Sequence, residues 1–184
     1  MTGDDRVSEG GMFRFTCATC GSVHEGAPSF AYPRPAAAWD VPEDERPERV
    51  YLTEDACVVD GETFYIRVVL EIPIHGMDEP FTWGVWVSQS RESFQRYLAT
   101  FDDDQTGMGS FGWLEVLMPG FARNGLGEPV EFLACDVAWR SPGQRPVVIL
   151  HESDHPLHAA QRDGISRQQA IDLAMLTLHP DGAA

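Results

Sequence analysis

From Phe64 the chain reads "FYIRVVLEIPI", and Phe64, Ile66, Val68, Leu70, Ile72 and Ile74 fall on alternate positions. Side chains of an extended strand point to opposite faces in turn, so this period places all of these apolar groups on one face of one strand. Asp60-Gly61, just before it, is a strong hairpin dipeptide, because a tight two-residue turn needs positive φ at both central positions. After "HGMDEP", the stretch "FTWGVWVSQS" again lines one face with Phe81, Trp83, Val85 and Val87. An antiparallel pair is the economical reading. Further on, "PVEFLACDVAWRSPGQRPVVILHES" holds two apolar runs around Pro142 and Gly143, which suit the turn of a second hairpin. "SFGWLEVLMPG" fits a strand or a loop equally well.

Two helices interrupt this strand-rich pattern. Phe94, Tyr97, Leu98 and Phe101 recur at helical spacing within 92–101, behind Ser90 as a cap. Ser166 and Gln169 form a capping box ahead of the apolar stripe Ile171, Ala174, Met175 and Leu178. The proline-rich segment 27–49 cannot hold an uninterrupted helix or central strand, and is expected to be an ordered irregular loop pinned by Phe30, Tyr32 and Trp39. The fold class is therefore α+β: a mainly antiparallel sheet with an inserted short helix, a C-terminal helix and an N-terminal Cys-x2-Cys knuckle. The expected organisation is one domain over 13–179, with tails at 1–12 and 180–184.

Charge narrows the partners. Thirteen basic residues against 29 acidic ones give a net charge of -16, which repels a phosphate backbone and argues against nucleic acid. A basic protein partner suits this balance better. No window reaches the roughly 18 to 20 apolar residues needed to cross a bilayer, and the start lacks the order of a secretory signal, so the expected location is the cytoplasm and not a membrane.

In a reducing compartment a close cysteine pair points to metal or redox chemistry more than to a structural bridge. "FRFTCATCGSVHEG" puts Cys17, Cys20 and His24 close together, with Gly21 suited to the turn of a zinc knuckle. Zinc wants a fourth ligand. Cys57, just before the Asp60-Gly61 turn, is the expected one, with Cys135 and the histidines of "HESDHPLH" behind it. No second half-site exists to supply it, and inert buried thiols or a Cys17/Cys20 redox pair are the alternatives. The redox reading wants a helix N-terminus after the second cysteine, which "GSVHEGAPSF" does not begin.

The segment 151–158 gathers His151, Glu152, Asp154, His155 and His158. It offers a metal pair with a carboxylate base, but not in the order of the His-Glu-x-x-His helix, and Pro156 argues against a helix running through it. The simpler expectation is a loop with Asp154 capping a turn and His155 hydrogen-bonded beneath it; Glu152, Asp154 and His155 remain candidates for a functional loop. Trp83, Trp86, Phe111 and Trp113 can line a ligand groove, yet at strand spacing they are expected in the core. Nucleophile elbows, phosphate loops and dinucleotide fingerprints are absent.

Taken in order, "FTCATCGSVHEG", "EDACVVDGETFYIRVVLEIPI", "FTWGVWVSQSRESFQRY", "FGWL" and "RPVVILHESDHPLHAAQRDGI" resemble the bacterial domain of unknown function 2199 family, from about Phe13 to about His179. The resemblance implies a small cytosolic bacterial protein in which Cys17, Cys20, Gly21, His24, Cys57 and the Asp154-His155-Pro156 segment match family motif positions. It carries no activity to transfer. The expected function is a non-enzymatic, zinc-stabilised binding or regulatory module, with structural zinc on Cys17, Cys20, His24 and Cys57. The alternatives are a metal-dependent enzyme using 151–158, with a pocket walled by Trp83 and Trp86, or a dithiol redox protein.

Overall fold

The computed structural model describes residues 12–26, 28–122 and 129–179; nearly all of both expected tails lies outside them. The first half of the chain forms β1 (Arg14–Thr16), β2 (Val23–Glu25), β3 (Ser29–Ala31), α1 (Ala36–Asp40), α2 (Arg46–Arg49), β4 (Val50–Leu52), β5 (Ala56–Val59), β6 (Thr63–Ile72) and β7 (Phe81–Gln89). The second half forms α3 (Arg91–Ala99), β8 (Gly109–Val116), β9 (Glu131–Ala138), β10 (Val147–Leu150), α4 (Pro156–Asp163) and α5 (Arg167–Leu178). This is an α+β fold, mostly sheet, ending on a helix.

Strands β6 to β10 close into a five-stranded barrel. The alternating run of β6 pairs antiparallel with β7 from Phe64↔Gln89 to Ile72↔Phe81, which brings both apolar faces to the same side. That side is the barrel interior, where Ile66, Val68, Leu70, Phe81, Trp83 and Val87 are fully buried. Asp60 and Gly61 carry φ of 54° and 68° in the turn that leads into β6. The expectation of an antiparallel sheet holds in part, because β10 closes the barrel on β6 in parallel and β3 lies parallel to β7. The parallel seam has a simple cause: β6 is long enough to pair β5 with its first half and β10 with its second.

Strand β8 resolves the ambiguous "SFGWLEV". It pairs along its full length with β9, from Gly109↔Ala138 to Val116↔Glu131, and touches β7 through Val87↔Leu114 and Ser88↔Trp113. Gly112 makes that last joint feasible, since a Cβ there would sit 2.5 Å from the Gln89 side-chain nitrogen and closer still to Ser88 O.

The proline-rich segment crosses the outer wall of β5, β6 and β7, and it contains the short helices α1 and α2 where an irregular loop was expected. Under it lies a second apolar cluster of Ala38, Val41, Cys57, Val59, Tyr65 and Trp86. Three polar ties hold it down. Trp86 Nε1–H donates to Tyr32 O at 3.0 Å, the Tyr32 hydroxyl donates to Leu117 O at 3.0 Å, and Ala36 N–H donates to Glu115 Oε2 at 2.8 Å. Trp39 stays about half exposed, with the Arg34 guanidinium 4.4 Å from its ring.

Helix α3 starts at its expected cap, the Ser90 hydroxyl accepting from Ser93 N–H, and α5 starts at the expected capping box of Ser166 and Gln169. Ala170, Ile171, Leu173 and Ala174 bury one side of α5, while Leu178 stays partly exposed. Arg167, in the first turn of α5, donates to Arg14 O and ties the helix to β1. No helix among the described residues is long and apolar enough to cross a membrane.

Candidate metal centre

The β1–β2 hairpin sets the first half of the site. Phe15 sits opposite His24 in the pairing, so the strand ends that carry Cys17 and His24 project together. Between the strands, Gly21 N–H donates to Cys17 O at 2.9 Å and Cys17 N–H donates to Ser22 O at 2.8 Å. That tight return needs φ of +71° at Gly21, a conformation a Cβ would resist. The result carries Cys20 Sγ to 3.4 Å from His24 Nε2, and the His24 ring lies tilted 5.3 Å from Phe15.

The other half comes from the far end of the described chain. Helix α5 terminates at His179, whose N–H donates to Met175 O and whose ring centroid is 6.2 Å from that of His24. Its Nε2 is shielded from solvent without a hydrogen-bond partner. The donor atoms of Cys17, Cys20, His24 and His179 all lie within 4.8 Å of one another.

These distances suit zinc. With Zn–S of about 2.3 Å and Zn–N of about 2.0–2.1 Å, tetrahedral angles put neighbouring donors about 3.3–3.8 Å apart. The Cys20–His24 separation already falls in that range, and a side-chain rotation of about 1 Å brings in the widest pair. Cys17 is buried and Cys20 exposed, with both imidazoles between. Hydrogen bonds from Ser22, backbone first, hold the Cys20 thiol below its ordinary pKa, favouring the thiolate that a metal requires.

Cys57 does not belong to this group. It lies on β5 beneath α1, in the separate cluster with Tyr65 and Trp86, where burial and then the Glu115 charge push its thiol up to about 11. His179 takes the place expected of Cys57. Its signal in the sequence is a histidine just after a helix whose apolar stripe needs a partner, and Phe13 and Phe15 of the hairpin join Ala174 of that helix in one core.

The histidines of 151–158 go separate ways. His151 Nε2 is 3.1 Å from Asp136 Oδ1 on the barrel exterior, and His158 Nδ1 is 3.2 Å from Ser153 O. His155, 1% exposed, caps α4: its Nδ1 accepts from Leu157 N–H at 3.1 Å, which leaves the ring proton on Nε2, 3.3 Å from Glu131 Oε2. Pro156 opens this helix at its first position, where a missing N–H costs nothing. Glu152 and Asp154 lie exposed just before it. Among the described residues no second group of three potential metal ligands converges.

Trp83 and Trp86 are buried on opposite faces of β7 and wall no common pocket, whereas Phe111 and Trp113, expected in the core, stand exposed on β8. Behind Cys20 the chain continues into β2 and not into a helix.

The sequence profile of one family, described as an uncharacterized protein conserved in bacteria (DUF2199), matches residues 16–165. That span includes Cys17, Cys20 and His24 and stops short of His179. Neither the curated proteins nor the solved structures contain a match to the chain.

Proposed function

The chain belongs to the DUF2199 family of conserved bacterial proteins, and from its geometry we propose that Cys17, Cys20, His24 and His179 hold one structural zinc ion in a protein that works by binding and not by metal chemistry. The observation that carries this is the convergence of four donors from two remote parts of the chain. Four protein ligands complete a tetrahedral site and leave no position for water or substrate. Zinc there would fasten the end of α5 to the N-terminal hairpin, and its binding energy would become folding energy. The dithiol alternative has the exposed, acidified Cys20 in its favour, but gives no role to two imidazoles directed at the sulfurs. Four free cysteines fit a reducing cytoplasm.

The test is metal content of the full chain, purified without a tag under reducing conditions, by elemental mass spectrometry. One zinc per chain is expected in the wild type and in Cys57→Ser, with loss in Cys17→Ser and His179→Ala. A metal-free wild type, or zinc retained by His179→Ala and lost from Cys57→Ser, would refute the site.

A further inference from the structure

The proline-rich segment covers one side of the barrel and, through Ala36 and Glu115, one end of β8; among the described residues the rest of the outer face of β8, β9 and β10 is left open. Strand alternation sends Leu114, Leu133, Cys135 and Val148 inward, so Phe111, Trp113, Phe132 and Ile149 must point out. They are 49, 46, 46 and 53% exposed. Register makes them one patch: Phe111 lies opposite Asp136, which lies opposite Ile149, and Trp113 occupies the next outward row. Phe111 and Trp113 pack edge to face at 5.5 Å, and the His151 ring lies 5.6 Å from Phe111. Contacts of this kind restrict a ring before anything binds, which reduces the entropy lost on association.

We infer that this wall is a docking surface for a basic polypeptide segment, the aromatic rings taking its apolar side chains and Asp136 taking an arginine or lysine. This rests on the binding-module reading and names its partner. Exposed, clustered aromatics are the composition of interface centres, not of ordinary surface. Charge selects the occupant. Asp136 is 64% exposed in the middle of the patch with His151 Nε2 3.1 Å from its Oδ1, and strands β8, β9 and β10 carry no arginine or lysine of their own. A cation placed there gains both the carboxylate and the ring faces. A second copy of the chain would bring another net charge of -16 and another Asp136 to the same contact, whereas a basic segment is steered in by that field.

The experiment pans the full wild-type chain against a random 12-residue peptide display library, then titrates the enriched synthetic peptide by tryptophan fluorescence. Enriched sequences are expected to pair arginine or lysine with neighbouring apolar residues. Trp113→Ala should weaken binding at least tenfold, Asp136→Asn should flatten its salt dependence, and Trp39→Ala, at an exposed ring elsewhere, should change nothing. Neutral or acidic winners, no enrichment, or unchanged affinity in Trp113→Ala and Asp136→Asn would overturn the inference. So would a wild-type dimer in sedimentation that Trp113→Ala dissociates. Metal content measured on the same samples separates the two proposals: peptide binding without zinc removes the staple alone, and zinc without peptide binding removes the docking surface alone.

Discussion

Glu115 is a carboxylate in the wrong place, and replacing it with glutamine should stabilise the protein as pH rises. It sits on the outer face of β8 at 2% exposure, beneath α1, with Oε2 accepting from Ala36 N–H. Tyr65 of β6, Cys57 of β5, Arg34 just before α1 and Asp40 at the end of α1 are the ionisable groups around it. Burial pushes its carboxyl from 4.5 up to about 7, helped by Asp40 and opposed by Ala36 N–H, the Tyr65 hydroxyl and Ala37 N–H. Because the folded pKa is raised, the native state holds the proton more tightly than the unfolded chain, so stability is complete below about pH 4.5 and falls as pH passes through 7. The loss is about 2 kcal/mol by pH 6 and about 3 kcal/mol at pH 8, since each tenfold difference in proton affinity between the folded and unfolded chain is worth about 1.4 kcal/mol. Glu115→Gln keeps an oxygen for Ala36 N–H and has nothing to titrate. Urea unfolding of both chains between pH 4.5 and 8, followed by tryptophan fluorescence, should show the gap widening in favour of glutamine toward pH 8. A gap independent of pH would refute the reasoning, whatever its size.

Gly112→Ala should cost about 3 kcal/mol, because the new Cβ meets the β7 backbone at the narrow β7–β8 joint; a loss under about 1 kcal/mol in the same assay would mean the joint can widen. His155→Ala should cost about 3 kcal/mol by removing the α4 cap and the group facing Glu131, with zinc content unchanged; a loss of zinc would tie this residue to the metal.

What is legible in the sequence is local or periodic. The strands β6 and β7 declare themselves because each turns one whole face into the barrel, and Ser90 and Ser166 because a cap acts within one turn. Strand β8 does not, since Phe111 and Trp113 lie on its outer face and Leu114 and Val116 on its inner one, which leaves no clean alternation. Pro156 suggests a break and instead begins a helix. Three of the four residues of the candidate metal group are visible as a motif in 17–24. His179 is not, because it joins through the packing of α5 on the hairpin, and Cys57 misleads because its strand is buried on both sides, by the core and by the proline-rich segment.

The barrel is also unevenly sewn. Pairing is unbroken along β6–β7 and along β8–β9–β10, yet the two-stranded ribbon meets the three-stranded one through Val87↔Leu114 and Ser88↔Trp113 on one side and Val147↔Val69 on the other, with Val69 N–H reaching Pro146 O. Mechanically this is two stiff ribbons clasped along two short hems. The parallel hem joins residues remote in the chain, so it carries a larger loop-closure cost than the pairing of β6 with β7 or of β8 with β9. Opening would begin at the same hem, and amide exchange would pass through a state in which each ribbon remains folded while the clasp between them has let go.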